Sequence, residues 1–385
     1  MKIHWCGTGL SAVPGLRRLL TGNYPVVVWN RTVAKAEAEV GDLTKDIRPF
    51  TLEAVAQALE PGDIAVSMLP ADLHVPLAKA CLEKGAHFVS SSYVAPEMAE
   101  LDQAAKDKGL SFVNEVGLDP GIDHILADDL VARLKDSGLG EGLDISFTSY
   151  CGGFPKVAND FRYKFSWSPL GVLKALRSPS KSLKGGEELN VARPWDAITR
   201  YENPLPGGEV FEAYPNRNSL PFIDQYGFDP AWNVQDFVRG TLRLDGWSTA
   251  WADLFKEVET LEGPEGDARL REISEGLWND HAYDEGEADR VVMFVRLTAT
   301  KDGAPVFDQA WAMDASGKDD GSAMGKLVSI TVAMAIEALV ASRLATGVVT
   351  ASNAADPMFA EDIRREWIAE VEGMADTLER IDYLA

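Results

Sequence analysis

Residues 113–124 read Val-Asn-Glu-Val-Gly-Leu-Asp-Pro-Gly-Ile-Asp-His: a short apolar run, a glycine, an Asp-Pro-Gly turn and the start of a helix. This order places the carboxylate of Asp119 at the carboxyl end of a predicted strand. In an open parallel sheet, ligands bind at that end of the strands. We therefore expect Asp119 to face a bound cofactor.

A glycine-rich turn near the start of the chain predicts what that cofactor is. Gly7-Thr8-Gly9-Leu10-Ser11-Ala12 follows the first predicted strand and opens a predicted helix over Leu10–Leu20, which is the context that a dinucleotide-binding turn needs. The first glycine permits the turn, the second lets the backbone approach a pyrophosphate, and Ala12 allows close helix packing. The free N–H groups of a helix start favour the phosphate. The alternative interpretation is a structural turn without a ligand.

The end of the second predicted strand, Asn30-Arg31-Thr32, bears on the choice between NADP and NAD. NAD-selective sites usually have an acidic residue here, against the ribose 2′-hydroxyl, and this chain has none. The guanidinium of Arg31 is suited to pair with a 2′-phosphate, so the sequence favours NADP, with NAD as the alternative. The other interpretation of Arg31 is a solvated residue at a helix start.

The first 121 residues alternate short apolar runs with segments of helical periodicity. This pattern predicts an α/β domain, a Rossmann-type doubly wound parallel sheet. Its predicted strands are Ile3–Cys6, Val26–Trp29, Ile64–Met68, His87–Ser90 and Phe112–Asn114.

The pattern changes near Ile122, and residues 122–321 are predicted to form a second α+β domain with a mixed sheet. Runs 291–299 and 306–313 predict a hairpin, because Asp302-Gly303 supplies the positive φ of a tight turn. We expect this hairpin at the edge of the sheet. Residues 247–287 predict a short helical segment, and helices from about 322 to 385 are expected to return to the first domain.

Composition excludes several classes of function. The net charge of −23, from 37 basic and 60 acidic residues, argues against nucleic-acid and anionic-membrane partners, which need clustered Lys and Arg. The longest apolar segment, 327–344, is interrupted by polar residues and is predicted to be a buried helix rather than a membrane span. Three distant cysteines and the spacing of the histidines indicate no disulfide framework and no metal site. A reducing cytoplasm is the expected location.

Hydroxyl groups follow two neighbouring predicted strands. Ser67-Met68-Leu69-Pro70 ends one strand and Ser90-Ser91-Ser92-Tyr93 ends the next. Serine and tyrosine at this edge can hydrogen-bond a cofactor or a substrate, so we expect contacts from Leu69, Ser91, Ser92 and Tyr93. For Ser92, capping of the following helix is an equal alternative.

Six separated motifs occur in one order along the first two thirds of the chain. They are Ser91-Ser92-Tyr93, Asn114 to His124, Ser149-Tyr150-Cys151-Gly152-Gly153, Tyr163 to Ser168, Tyr214-Pro215-Asn216-Arg217 and Arg239-Gly240-Thr241-Leu242-Arg243. Through them the chain resembles the saccharopine dehydrogenase (L-glutamate-forming) family, also called saccharopine reductase. The resemblance implies an oxidoreductase that interconverts saccharopine with L-glutamate and 2-aminoadipate 6-semialdehyde by hydride transfer to or from NADP in lysine metabolism. It also implies a homodimer, with residues 122–321 as the domain for substrate binding and dimerisation.

The resemblance assigns roles to residues of this chain. It implies substrate contacts from Ser92, Tyr93, Asp119, Arg217, Thr241, Leu242 and Arg243. Together with the glycine turn, it implies cofactor contacts from Gly7, Gly9, Leu10, Ser11, Ala12, Asn30, Arg31, Thr32, Leu69, Ser91, Leu118 and Asp119.

The chemistry of saccharopine is consistent with these roles. Saccharopine carries three carboxylates, and a bidentate Arg–carboxylate pair gives strength and orientation, so Arg217 and Arg243 suit them. Asp119 supplies negative charge beside the bridging nitrogen, and Tyr93 or Cys151 is the candidate proton relay. Cys151 is equally well interpreted as a packing residue, and His124 is better interpreted as structural than catalytic.

Two departures from the family pattern weaken the substrate assignment: Asn218 stands beside Arg217 where an Asp is common, and the segment after Leu244 is shorter and divergent. One alternative is a related NAD(P)H-dependent imine reductase of a carboxylated polyamine pathway. Another, of a different class, is a non-catalytic NADP(H)-sensing protein.

Overall fold

The computed structural model describes residues 1–352 and 361–385. Its strands, in chain order, are β1 (Ile3–Cys6), β2 (Val26–Asn30), β3 (Ile47–Pro49), β4 (Ile64–Ser67), β5 (His87–Ser90), β6 (Ser111–Val113), β7 (Asp144–Pro155), β8 (Ser180–Lys184), β9 (Glu187–Val191), β10 (Thr199–Glu202), β11 (Val210–Pro215), β12 (Asn233–Leu244), β13 (Asp289–Lys301), β14 (Ala304–Ser316), β15 (Gly347–Val349) and β16 (Thr377–Asp382).

The α-helices of the described residues are α1 (Val13–Thr21), α2 (Val33–Val40), α3 (Leu52–Ala58), α4 (His74–Lys84), α5 (Pro96–Ala99), α6 (Asp102–Asp107), α7 (Ile122–Asp136), α8 (Pro169–Leu176), α9 (Pro221–Gln225), α10 (Trp247–Ala250), α11 (Ala252–Glu259), α12 (Gly263–His281), α13 (Ala323–Val340) and α14 (Glu361–Met374).

The chain divides into two compact units. The first comprises Met1–Ile125 and Gly325–Val371, and the second comprises Leu126–Met324 and Glu372–Ala385. Residues 353–360, which belong to the segment predicted to return to the first domain, lie outside the described residues.

The first unit is built on a seven-stranded sheet in the order β15-β6-β5-β4-β1-β2-β3. Every neighbouring pair in it is parallel. The strand order reverses direction between β4 and β1, which is the switch point where open α/β sheets bind ligands. This sheet, with the mixed sheet of the second unit, confirms the predicted fold class.

Strand side chains of the first unit alternate between two cores. Ile3, Trp5, Val26 and Val28 pack on one face of the sheet, whereas Val27 and Trp29 pack on the other. This two-sided burial is the reason why the strands are apolar runs without polar alternation.

Helix α13 covers the first of these faces. It is long and apolar enough to cross a membrane by length and composition, but 72% of that segment is buried inside the protein. Its residues Val332, Ala333 and Ile336 belong to the core that contains β1. Helix α1 approaches it closely at Gly15, where a Cβ atom would lie 1.8 Å from the carbonyl oxygen of Ser329.

The second unit contains a mixed sheet with the path β10-β11-β12-β7-β13-β14-β16. Strands β12 and β7 pair in parallel, while β11 with β12 and β7 with β13 are antiparallel. Its core is aromatic, with Tyr163, Trp247 and Trp251 among its buried residues. The predicted short helical segment at 247–287 corresponds to α10, α11 and α12.

The predicted hairpin is confirmed as β13 and β14, which pair antiparallel. Asp302 and Gly303 in its turn have φ of 52° and 79°, the positive values that a two-residue hairpin turn requires. Its expected edge position was wrong, because β14 also pairs with β16 at the C-terminus. The predicted C-terminal helices likewise need correction: residues 372–385 contain strand β16 and belong to the second unit.

Candidate active site

The cofactor residues predicted from the first 121 positions follow the carboxyl ends of neighbouring parallel strands. The glycine turn follows β1, Asn30 ends β2, Leu69 follows β4, Ser91 and Ser92 follow β5, and Leu118 and Asp119 follow β6. Because parallel strands end at one edge of the sheet, these residues share that edge.

The glycine turn has the geometry of a close backbone approach. Gly7 has φ of 105°, and a Cβ on it would lie 2.5 Å from the carbonyl oxygen of Met68. At Gly9, no atom of residues 1–352 or 361–385 lies within 4 Å of the position a Cβ would take, so these residues leave that side of the turn open. The hydroxyl of Thr8 is buried without a hydrogen-bond partner among the described residues.

Helix α1 begins later than predicted. Leu10, Ser11 and Ala12 form a turn, and the helix starts at Val13 with Pro14 in its first turn. Proline is tolerated there because the N–H that it lacks would have no partner inside the helix. Leu10 is 48% exposed, whereas Ala12 is 1% exposed and packs in the core, so Ala12 has the predicted packing role.

The loop after β2 is held by the side chain of Asn30. Its Oδ1 accepts from the Thr8 backbone N–H at 3.2 Å, and its Nδ2 donates to the Thr32 carbonyl at 2.8 Å. Asn30 therefore ties the end of β2 to the glycine turn. Arg31 beside it is exposed, and no carboxylate of residues 1–352 or 361–385 is within ion-pair distance of it.

A histidine that the sequence interpretation passed over joins two strand ends. The Nδ1 of His74 lies 2.7 Å from the Ser67 hydroxyl, and its Nε2 lies 2.9 Å from the Ser92 hydroxyl. Burial lowers the pKa of His74 to about 4, against a smaller opposing effect of Asp72. The imidazole is therefore neutral at physiological pH, with one nitrogen donating and the other accepting.

The segment 92–94 is fixed by Glu115, which is buried and has φ of 57°. Its backbone N–H donates to the Ser92 carbonyl at 3.1 Å. Its Oε1 accepts from the Val94 N–H at 3.0 Å, and its Oε2 lies 3.0 Å from the Nε2 of His124. Glu115 thus holds the segment through both its backbone and its side chain.

His124 has the structural surroundings that we expected for it. Its side chain is fully buried between Glu115 and Asp123, whose carboxylate oxygen lies 3.4 Å from Nδ1. Asp123 also accepts from the Gly121 N–H at 2.7 Å. This buried network fixes the turn after β6 that carries Leu118 and Asp119.

Asp119 is half-buried on this turn and accepts a hydrogen bond of 2.9 Å from the hydroxyl of Tyr93. The first unit therefore brings these two predicted catalytic residues together. Ser91 lies beside the same turn: a Cβ on Gly117 would be 2.9 Å from the Cβ of Ser91. Glycine is required at position 117 because the segment after β6 packs directly against Ser91 after β5, which leaves no space for a side chain.

In the second unit, two predicted site residues, Cys151 and Thr241, occupy paired positions on neighbouring strands. Cys151 on β7 pairs in register with Thr241 on β12, and Thr241 pairs with Tyr214 on β11. Cys151 is only 9% exposed. The side chain of Leu242 is completely buried in the aromatic core, so it presents no side-chain surface to a ligand.

Arg243 is buried against aromatic rings. Its guanidinium carbon lies 4.9 Å, 5.4 Å and 5.7 Å from the ring centroids of Tyr163, Trp247 and Tyr214. Its Nη1 donates to the Leu242 carbonyl at 3.1 Å, while Nε has no hydrogen-bond partner among the described residues. Within the described part of the chain, no carboxylate forms an ion pair with it.

The carboxylate on the residue that pairs with Arg243 across the sheet binds other groups. Glu212 is the strand partner of Arg243, but it accepts from the backbone N–H groups of Gly246 and Ser248 and from the Ser248 hydroxyl. It thereby caps helix α10, which carries Trp247. A buried guanidinium without a counterion is costly, so this arrangement is suited to an anionic ligand.

Arg217 has the opposite environment. It is exposed in the loop after β11 with φ of 57°, and its carbonyl accepts from the Lys181 N–H at 2.8 Å. The adjacent Asn218 uses its Oδ1 to accept from Leu220 at 3.1 Å. This bond gives the side chain a local turn-capping role, and an Asp carboxylate at the same position would accept the same hydrogen bond.

Sequence reasoning missed His74, Glu115 and Trp247. Glu115 lies inside the quoted 113–124 motif, and its buried position after an apolar run was an available signal. His74 and Trp247 carried no local signal, since their partners lie on other elements. Within the described ranges, no three His, Cys, Asp or Glu side chains are grouped so as to hold a metal ion.

Two family models match this chain. Residues 4–113 match the model described as "Saccharopine dehydrogenase NADP binding domain", and residues 117–374 match "Saccharopine dehydrogenase C-terminal domain".

Curated relatives share about a third of the aligned residues or more. The chain is 37% identical over 249 residues to "Saccharopine dehydrogenase [NADP(+), L-glutamate-forming]" of Pyricularia oryzae, covering 63% of this chain and 54% of that protein. It is 40% identical over 263 residues to "Alpha-aminoadipic semialdehyde synthase, mitochondrial" of Mus musculus, covering 65% of this chain and 27% of that protein. The aligned part therefore spans about half the length of the first relative and less of the second.

Solved structures share the fold. The apo saccharopine dehydrogenase (L-Glu forming) of Saccharomyces cerevisiae matches with a TM-score of 0.79 and 23% identity, covering 99% of both chains. The homospermidine synthase of Legionella pneumophila in complex with NAD matches with a TM-score of 0.63 and 12% identity, covering 99% of this chain and 91% of that one. At these identities the likeness concerns the fold alone.

Proposed function

The chain belongs to the saccharopine dehydrogenase family, and on that premise we propose that it is an NADP-dependent oxidoreductase acting on the C–N bond of saccharopine. It interconverts saccharopine with L-glutamate and 2-aminoadipate 6-semialdehyde in lysine metabolism. The observation that carries the proposal is the succession of the two family models across residues 4–113 and 117–374, each with a polar site cluster of its own.

The residues of the first unit fit the cofactor. Gly9 leaves the glycine turn open on one side, and the buried Thr8 hydroxyl has no partner among the described residues. After β2, the exposed Arg31 replaces the acidic residue that an NAD-selective site usually carries. A guanidinium fork matches a phosphate, which supports NADP over NAD.

The residues of the second unit fit a polyanionic substrate. Arg243 is a buried cation without a carboxylate partner in the described chain, and its Nε–H has no acceptor. A substrate carboxylate supplies both the charge and the acceptor. Arg217 and Thr241 are the further substrate contacts that the family resemblance implies.

When bound, NADP⁺ supplies the acceptor for the hydride that leaves the substrate carbon next to the bridging nitrogen. Asp119, oriented by the hydroxyl of Tyr93, holds the positively charged nitrogen of the substrate. Tyr93 is the proposed proton relay, with Cys151 as the second candidate. Water then adds to the substrate imine, and the carbon–nitrogen bond breaks to give glutamate and the semialdehyde.

The test is a steady-state assay of the purified full chain in both directions. We expect NADP⁺ reduction with saccharopine, and NADPH oxidation with 2-aminoadipate 6-semialdehyde plus glutamate. Absence of turnover in both directions contradicts the proposal. Turnover of other amine and aldehyde pairs instead supports the imine reductase of a carboxylated polyamine pathway.

Calorimetric titration separates the enzyme from the non-catalytic sensor. The proposed enzyme binds NADP(H) and also saccharopine. A sensor binds NADP(H) and shows no heat with saccharopine, and that pattern would reject the catalytic function.

We also propose that the protein is a homodimer in the cytoplasm. The homodimer is supported by the family resemblance, and the reducing location by three cysteines that are free and buried. Light scattering of the purified 41.9 kDa chain should give about twice this mass. A monomeric mass at assay concentrations contradicts the dimer.

A further inference from the structure

The hydrogen-bond chain Ser67–His74–Ser92 links the end of β4 to the segment after β5. Ser67 is completely buried and His74 is 8% exposed, while Ser92 is half-buried. The backbone of Ser92 is fixed on both sides, since its N–H donates to the Ser90 hydroxyl at 3.1 Å and its carbonyl accepts from Glu115. Only the direction of the Ser92 hydroxyl remains to be set.

Assigning a donor and an acceptor to each of the two hydrogen bonds between Ser67, His74 and Ser92 selects one tautomer of His74. The Ser67 hydroxyl has Nδ1 of His74 as its hydrogen-bond partner, and a buried hydroxyl proton without an acceptor is costly. Ser67 therefore donates to Nδ1, and the ring proton of the neutral imidazole is on Nε2. Nε2–H then donates to the oxygen of Ser92.

The consequence concerns the remaining proton of Ser92. Because its oxygen already accepts from His74, the Ser92 O–H must donate to a group other than the imidazole. We propose that His74, as the Nε2–H tautomer, is a positioning residue that turns Ser92 into an outward hydrogen-bond donor for an anionic oxygen of the substrate. The identity of that oxygen as a saccharopine carboxylate rests on the proposed function.

The opposite tautomer gives the opposite chemistry. If Nδ1 carried the proton, Nε2 would accept from Ser92, and Ser92 would offer only lone pairs to a ligand. An anionic oxygen would then be repelled at this position. Burial lowers the pKa of His74 and so keeps the ring neutral. Only a neutral imidazole has one donor and one acceptor nitrogen, as these two hydrogen bonds require.

The first experiment reads the tautomer directly in the full chain. Nitrogen-15 NMR of histidine-labelled protein distinguishes protonated from unprotonated ring nitrogens, and a His74→Gln variant assigns the signals. We expect Nε2 protonated and Nδ1 unprotonated at pH 7, with and without NADP⁺. A protonated Nδ1 overturns the proposal, and because this readout needs no turnover, it is independent of the proposed enzymatic activity.

The second experiment compares two substitutions of His74. The amide N–H of His74→Gln reaches about where Nε2 lies, whereas His74→Asn is too short to reach Ser92. We expect the KM for saccharopine to rise about tenfold in His74→Asn and less than about threefold in His74→Gln, since one hydrogen bond to a charged group is lost only in the former. The kcat and the KM for NADP⁺ should change little.

A matched control and a double variant complete the test. His87→Gln alters another half-buried histidine of the first unit, which accepts from the Ser111 N–H at 3.0 Å, and should leave KM unchanged. Adding His74→Asn to Ser92→Ala should raise KM no further than Ser92→Ala alone. Equal losses in the Asn and Gln variants, or additive losses in the double variant, contradict a role through Ser92. If wild-type protein does not turn over saccharopine, the proposed function fails while the tautomer measurement still decides this inference.

Discussion

The two units arrange their polar site residues in opposite ways. At the sheet edge of the first unit, Tyr93 with Asp119 and Ser67 with His74 and Ser92 satisfy one another by hydrogen bonds. In the second unit, the buried Arg243 has aromatic rings around it and no described carboxylate. The first cluster fixes its side chains without a ligand and leaves only the Ser92 hydroxyl proton for one, whereas the second gains its counterion only with a ligand.

This difference indicates that the first cluster is preorganised before a ligand arrives, whereas the second contributes to ligand binding. Groups already fixed by neighbours need no reordering when a ligand arrives, and their removal should affect the reaction step, the fold or the direction in which a ligand-binding hydroxyl such as that of Ser92 points. A buried cation without a counterion lowers stability until an anion binds. Its removal should therefore weaken substrate binding while leaving the fold intact or more stable.

The largest effect is expected for Arg243→Met. Loss of one partner of a buried charge pair costs about 4 kcal/mol in binding, so kcat/KM for saccharopine should fall roughly a thousandfold. The thermal midpoint, measured by calorimetry, should stay level or rise, because a desolvated charge is removed. A much lower midpoint would contradict the contrast between the units.

The matched control for this variant is Arg290→Met. Arg290 lies in the same unit, but Asp314 binds it at 2.8 and 2.5 Å and Glu209 at 3.0 Å. Its removal leaves carboxylates without a counterion and should lower the thermal midpoint. Opposite shifts in the two variants are the expected outcome, and equal shifts would remove the distinction.

The second effect is a pH dependence of stability that arises from His74. Its pKa is about 4 in the folded protein, against an ordinary value of 6.5, so between these values the unfolded chain binds more protons. The free energy of unfolding should therefore fall by about 3 kcal/mol as pH falls from 6.5 to 4. Urea unfolding at several pH values should show a loss that is larger in wild type than in His74→Gln by about this amount, because other histidines whose pKa is lowered by burial titrate in both proteins; parallel curves would contradict it.

A smaller effect is expected for Tyr93→Phe, which removes the hydrogen bond that orients Asp119. One hydrogen bond to a charged group changes a rate by about tenfold, so kcat should fall by that factor when Cys151 relays the proton, and by about a hundredfold when Tyr93 is itself the relay. The affinity for NADP⁺, measured by fluorescence titration, should stay constant. Tyr24→Phe, at the half-buried margin of the same unit's core, serves as the control, and an equal loss there would exclude a specific role of Tyr93.

The smallest effect is expected for Arg31→Ala. Arg31 is exposed, and water screens exposed charges, so its contact with a 2′-phosphate is worth about 1 kcal/mol, or about fivefold in NADP⁺ affinity. The affinity for NAD⁺ should be unchanged. An equal loss for both cofactors would show that Arg31 does not read the 2′-phosphate.

The sequence predicted the first sheet well where signals were local. Strands β1 and β5 match their predicted bounds, and β2, β4 and β6 differ by a residue or so, because apolar runs bounded by turn residues specify buried strands. Two strands of this sheet were missed. β3 has only three residues that are partly exposed, and β15 enters the sheet beside β6 from a position far along the chain.

For the site as well, the sequence predicted individual residues but not the contacts between them. Asp119 and Tyr93 were named from the sequence, and the fold joins them at 2.9 Å. Their link could not be derived, because it depends on β5 and β6 being neighbours. Leu242 shows the reverse: its motif suggested a ligand contact, but strand alternation turns its side chain into the core.

By itself, the sequence determined what depends on neighbouring residues: the glycine turn, the Asp-Pro-Gly turn that carries Asp119, and the alternating strands and helices of an α/β domain. Backbone φ limits and apolar periodicity act over a few residues, so these features can be read along the chain. Only the tertiary structure decided that His74 bridges Ser67 and Ser92, and that Arg243 is buried without a carboxylate partner in the part of the chain that the structure describes. Burial and hydrogen-bond partnership are properties of segments brought together by folding, and they set both the protonation and the free energy of these groups.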